Sequence, residues 1–219
     1  MSTEFASNAV DTLAVAMLIV AIALVASRSL GAALALFALQ SAMLAAAGLC
    51  TGIATESAHV IAGAGLAFAV KAAITPAVLW ILLTQTSVSN DVSATINRRT
   101  SVAFAVIAAL AMARSLDAEP FHTAIGAERV LPTAVTVMVI GLQLMITSRQ
   151  AVAQVIGFLV LENGMALAAL TATYGMPLVV EFGILLDLLL AVSVVFIYTT
   201  RMHLIFGSLD TAHFRSLRG

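Results

Sequence analysis

A chain of 219 residues that is 62% hydrophobic and only 10% charged, with a mean hydropathy of +1.10, is not a soluble domain, in which about a quarter of residues are charged. Composition of this kind belongs to an integral membrane protein, and a net charge of −1 gives no reason to expect a nucleic-acid partner. The single cysteine, Cys50, excludes an intrachain disulfide, and the scattered histidines His59, His122, His203 and His213 lack metal-ligand spacing. No metal and no cofactor is expected in this chain.

The opening MSTEFASNAV carries Glu4 where a secretory leader would carry basic residues, and the first basic residue, Arg28, follows the first apolar run, so no cleaved signal peptide is expected. A helix needs about 20 mostly apolar residues to cross roughly 30 Å of hydrocarbon. Seven such runs follow in chain order, at 9–26, 30–51, 60–83, 101–116, 131–147, 152–174 and 177–200. Asp11 opens the first and reads as a surface residue. The second carries Gln40. The third carries Lys71 and Pro76, which deprives the carbonyl of Ala72 of its helical partner and leaves Thr75 to help satisfy the broken turn. A polar linker, QTSVSNDVSATINRRT (85–100), precedes the short fourth and fifth runs. The sixth carries Glu162, close to Gln154 and Asn163, and the seventh carries Asp187, with Tyr198 on the same face eleven residues on. Glu181 reads as a surface group near an outer helix end, Arg201 and His203 as interfacial anchors, and the tail GSLDTAHFRSLRG as an arm that docks on a partner.

Basic residues favour the cytoplasmic side. With the N-terminus outside and the C-terminus in the cytoplasm, the inner loops and tail hold Arg28, Arg98, Arg99, Arg149, Arg201, Arg215 and Arg218, against Arg114 and Arg129 outside. The two halves also look alike. SRSLGAALALFALQSAMLAAAG (27–48) and SRQAVAQVIGFLVLENGMALAALTA (148–172) both begin Ser-Arg after an apolar run, and Gln40 aligns with Glu162 when one gap is allowed. Lys71 in the third run stands where Asp187 stands in the seventh. The expected architecture is all-α with seven transmembrane helices, the first three and last three forming parallel repeats joined by the fourth. The divisions are 1–84 for the first repeat, 85–129 for linker, fourth helix and outer loop, and 130–219 for the second repeat and tail.

An ionisable group at mid-bilayer costs roughly 2.5–3.5 kcal/mol and is usually aimed at protein or water. Glu162 reads either as a proton-carrying carboxylate or as a structural hydrogen-bond partner of a neighbouring helix. Lys71 is the only lysine beside nine arginines. Arginine stays charged, whereas a buried lysine can release its proton. Lys71 therefore suits a titrating role, or else a fixed ion pair with a carboxylate of another subunit. Asp187 has the same two readings as Glu162, and Gln40 serves equally well as a bridge in a water wire or as interhelical glue.

The stretch SRQAVAQVIGFLVLENGMALAAL followed by EFGILLDLLLAVSVVFIYTTRMH resembles the K component of respiratory complex I and the C component of the multisubunit cation antiporters. Over its whole length, with the extra N-terminal half and the SLDTAHFRSLRG ending, the chain resembles the E component of hydrogenase-4 and formate hydrogenlyase membrane complexes. In the family of the complex I K component, two successive helices each carry a mid-membrane glutamate. Glu162 matches the first; Asp187, with its shorter side chain, stands where the second would be. The resemblance implies a non-catalytic subunit in a bacterial or archaeal cytoplasmic membrane, whose partners are antiporter-like subunits, a membrane anchor and a peripheral hydrogenase-like arm. Those partners would carry the nickel-iron centre and iron-sulfur clusters. Glu162, Asp187, Lys71 and Gln40 would form a proton (or sodium) pathway. A cation antiporter subunit without redox partners, a self-sufficient transporter and an inert scaffold are the rival readings; against the transporter, Pro76 has no counterpart near Asp187.

Overall fold

A computed structural model describes residues 3–85, 97–115 and 130–172. Among these the chain is all-helical, with no strand: α1 (Thr3–Ala26), α2 (Leu30–Ala54), α3 (Ala58–Ala67), a π-helical segment (Phe68–Ile74), α4 (Thr75–Gln85), α5 (Arg98–Ser115), α6 (Val130–Thr147) and α7 (Ala151–Ala172). Among the described residues, five helical stretches are long and apolar enough to cross a membrane: α1, α2, the continuous run from α3 through α4, α6 and α7. This is the character of a multi-pass membrane protein. The predicted fourth run, α5, is not among them; its 18 residues include Arg98, Arg99 and Arg114. The seventh run, 177–200, lies outside the described residues.

Two tight turns with the same Ser-Arg opening set the hairpins. In the first, the Ser27 amide donates to the Leu24 carbonyl at 3.1 Å, and Ser29 caps α2 by accepting from the Ala32 amide at 3.2 Å. In the second, the Ser148 amide donates to the Leu144 carbonyl at 3.1 Å, and the Gln154 side chain donates to the Ser148 carbonyl at 3.0 Å. Gln154 thus serves the turn rather than the surroundings of Glu162. At the far end of α2, Glu56 takes a left-handed conformation (φ 53°), with the Ser57 amide reaching back to the Gly52 carbonyl at 3.0 Å. This closes α2 and turns the chain into α3.

Pro76 acts on the helix more widely than one freed carbonyl suggests. The turns before it widen into the π-helical segment, and the Thr75 amide bonds the Val70 carbonyl five residues back. A wider turn carries the chain past a ring that cannot donate and would collide with the carbonyl four residues earlier. Lys71 sits inside this widened stretch.

Helix packing follows from the small residues. α6 and α7 meet at backbone distance, because a Cβ on Gly141 would stand 2.5 Å from the Leu161 nitrogen and 2.8 Å from the Gly157 carbonyl. A Cβ on Gly164 would likewise stand 2.8 Å from the Met138 nitrogen. α1 packs on α2 and α6, α2 on α7 and on the π-helical segment, and α5 across α1 and α6. The buried side chains form two apolar layers. One holds Leu24, Leu34, Phe37, Ile140, Ile156 and Leu159 on the side of the two Ser-Arg turns; the other holds Val10, Met17, Leu44, Val130, Leu167 and Leu170 on the opposite side. Their order along the chain shows that α1 and α6 run one way and α2 and α7 the other.

Replacing Gly141 with valine is expected to push α6 from α7 and lower the melting temperature of the detergent-solubilised chain, since overpacking a tight contact costs about 1–3 kcal/mol. Thermal unfolding with unchanged midpoint would show that the two backbones do not meet there.

Candidate functional site

Three membrane-length helical stretches, α2, the run from α3 through α4, and α7, carry buried polar residues near their middles. Lys71 lies 13 residues after Ala58 and 14 before Gln85, and Glu162 lies 11 after Ala151 and 10 before Ala172. Gln40 and Ser41 occupy the corresponding stretch of α2. All are sealed in: Gln40 and Asn163 are 0% exposed, Ser41 2%, Glu162 3% and Lys71 4%. Along α2 and α7 these residues fall between the members of the two apolar layers, so they form a polar layer with hydrocarbon-like packing on either side.

Two connected devices hold this layer. The first is an ion pair: Lys71 Nζ lies 2.9 Å from Glu162 Oε1, joining the third apolar run to α7. The second is an amide ladder. Gln40 Nε2 donates to the Met17 carbonyl at 3.2 Å, and Asn163 Nδ2 donates to Gln40 Oε1 at 3.3 Å and to Ser41 Oγ at 3.0 Å. The ladder ties α1, α2 and α7 together at one depth. Glu162 and Asn163 are sequence neighbours about 100° apart on the helix, so one end of the layer is ionic and the other is neutral.

Three of the four sequence-predicted residues therefore converge. Gln40, Lys71 and Glu162 share one buried cluster, whereas Asp187 lies outside the described residues, as do Glu181, Tyr198, Arg201 and His203. The partner of Lys71 is a carboxylate of its own chain rather than of a neighbouring protein, because the hairpin of α6 and α7 brings Glu162 to the widened turn. Asp11 also departs from expectation. α1 begins at Thr3 rather than at residue 9, so Asp11 stands about 12 Å along the helix. There it lines a groove of about 590 Å³ between α1, α5 and α6, together with Thr12, Thr133 and Thr136. The sequence reading missed Ser41 and Asn163 as members of the cluster. The signal was present, a polar residue beside Gln40 and another beside Glu162 within apolar runs.

Chemically, the cluster can hold one mobile proton in two ways. Charged, it is an ammonium–carboxylate pair; after transfer from Nζ to Oε1 it is an amine and a carboxylic acid with no net change in charge. Lysine permits this and arginine would not. The ladder fixes the depth and rotation of α7 on which the 2.9 Å approach depends.

Leucine at Gln40 or at Asn163 leaves the other amide short of a buried partner, at a cost of about 1–3 kcal/mol. The two substitutions together should cost less than the sum of the two singles, since both break one network. A thermal double-mutant cycle checks this; strict additivity would separate the two amides.

No family profile and no solved structure matches the chain. The uncharacterized protein Rv0085 of Mycobacterium tuberculosis is 33% identical over 226 aligned positions, which cover the whole of both chains. Similarity of that degree from end to end means common descent, and the chain belongs to the family of Rv0085.

Proposed function

We propose that the chain is a non-catalytic membrane subunit of a complex I-like membrane-bound hydrogenase, of the formate hydrogenlyase or hydrogenase-4 type, contributing buried ionisable groups to a charge pathway in the plane of the membrane. The observation that carries this reading is the polar layer at mid-depth, closed above and below by apolar layers. Such a layer offers no continuous polar route across the described residues. Its charge can be relayed only sideways, to groups of equal depth in neighbouring helices or subunits. A subunit that passes charge changes between a redox module and pumping subunits has that form.

The Lys71–Glu162 pair would be the responsive element. A positive charge arriving on the ammonium side would favour transfer of the proton from Nζ to Oε1, leaving an amine and a carboxylic acid, while one arriving on the carboxylate side would hold the ion pair. Proton movement between Nζ and Oε1 would then transmit the change. Gln40, in the position aligned with Glu162, would complete the layer without charge of its own. The parallel repeat is supported by the packing of α1 on α6 and α2 on α7, by their shared directions, and by the bond between Ser41 and Asn163, which the alignment makes equivalent residues. A two-fold axis along the membrane normal brings equivalent helices together in this way. Arg28, Arg98 and Arg149 by the turn end support its assignment to the cytoplasmic side of a bacterial or archaeal membrane.

The partners would be antiporter-like membrane subunits, a membrane anchor and a hydrogenase-like arm. The redox centres would belong to that arm. The described residues gather no group of three His, Cys, Asp or Glu side chains with which to hold a metal.

In sealed vesicles carrying the native complex, Glu162→Gln keeps the size and hydrogen bonding of the side chain and should leave the complex assembled. Coupled proton translocation should fall on the order of a hundredfold, as when a positioned proton-transfer group is lost. Full coupling in an assembled Glu162→Gln complex would reduce the pair to structural glue. Co-purification with antiporter-like subunits alone would move the chain to a cation antiporter without redox partners.

A further inference from the structure

At the turn end of the bundle, the first turn of α5 is wedged between the two Ser-Arg turns. Between these three segments lies a cavity of about 30 Å³, with Ser27, Arg98, Ser101, Thr147 and Ser148 on its polar side. A space of that size takes about two water-sized groups. Three features give it the chemistry of an oxyanion site. Arg98 is half-buried at its wall and has no carboxylate partner among the described residues. Ser101 is 7% exposed, and its Oγ makes no hydrogen bond among the described residues, so a buried hydroxyl is left with an unused proton. Ser27 and Ser148 add two hydroxyls from the two turns. Thr147 donates its own proton to the Gln143 carbonyl at 2.8 Å, and so marks the acceptor edge of the cavity rather than another donor.

We propose that this cavity binds the phosphate of an anionic phospholipid headgroup, two of its oxygens entering among Arg98, Ser101 and the turn serines. The remainder of the headgroup stays outside. The position fits a lipid, because Arg98 opens α5 at the end of the bundle, and basic pockets between membrane helices at that depth select anionic headgroups. Guanidinium with hydroxyl donors suits the planar, two-oxygen presentation of a phosphodiester. The site is separated from the Lys71–Glu162 pair by the apolar layer of Leu24, Leu34, Ile140 and Ile156. It is therefore independent of the proton-relay reading and survives its failure.

Arg99 supplies the control. It is the next residue, equally charged, but exposed, with its amide bonded to the Asn97 side chain at 3.2 Å and no place in the cavity wall. The full chain, with any partners that co-purify, would be purified in mild detergent and its bound phosphatidylglycerol measured by native mass spectrometry. Arg98→Gln should lower retention about fivefold, the worth of one interfacial arginine. Ser101→Val, which fills the cavity, should lower it as well, while Arg99→Gln should leave it near the wild-type value. If Ser101→Val fails to fold, Arg98→Gln against Arg99→Gln still decides. Equal loss from both arginines would mean diffuse attraction to an anionic surface and overturn the site, as would no retained phosphatidylglycerol at all. Inorganic phosphate is the second arm. If it displaces phosphatidylglycerol and raises the melting temperature of wild type but not of Arg98→Gln, the oxyanion chemistry stands and its source is free phosphate. If it does neither while phosphatidylglycerol does both, the source is the lipid.

Discussion

A charge at the centre of a bilayer has to be met by another group, and the Lys71–Glu162 pair is the contact on which the arrangement of this chain turns. Either residue alone would sit at the depth where a fixed charge costs most. Together, 2.9 Å apart, they neutralise each other and require the third apolar run and α7 to adjoin at one level. That contact joins the chain's first half to its second alongside the bonds of Asn163 to Gln40 and Ser41. Apolar packing alone leaves helices free to slide and rotate in a solvent as apolar as their own side chains.

The rest of the bundle gives that contact its precision. Gly141, Gly157 and Gly164 let α6 and α7 approach backbone to backbone, which removes most of their relative freedom. The amide ladder from Met17 through Gln40 to Asn163 then sets the rotation of α7 against α1 and α2. The π-helical widening before Pro76 determines which way Lys71 emerges from its helix. A regular α-helix would present residue 71 at a different angle. The site is thus assembled from a proline, three glycines and two amides, of which none carries charge.

A layered interior has a functional corollary. Two apolar layers enclosing one polar layer keep the buried polar groups of the cluster at a single depth, which the proposed charge pathway in the plane of the membrane would use. A transporter of solutes needs the opposite arrangement, with a polar route through at least one half of the bilayer. The half-buried arginine and orphaned serine hydroxyl at the turn end add a second kind of contact, toward the lipid.

Sequence by itself determined the membrane character, five of the membrane-length helices, and four polar residues worth watching, of which Asp187 lies outside the described residues, because each of these depends on local composition. A charge within twenty apolar residues is conspicuous whatever surrounds it. Sequence could also suggest that the halves are related, through the two Ser-Arg openings. It could not say that Lys71 meets Glu162, since that depends on which faces of helices far apart in the chain are turned together. Nor could it promote Ser41 and Asn163 from neighbours to members of the cluster, or place Asp11 two turns inside α1, because helix ends and rotations are settled by packing rather than propensity. Tertiary structure decided those points through backbone contacts at glycine, a widened turn ahead of proline, and the hydrogen bonds that join Gln40, Ser41 and Asn163 at one depth.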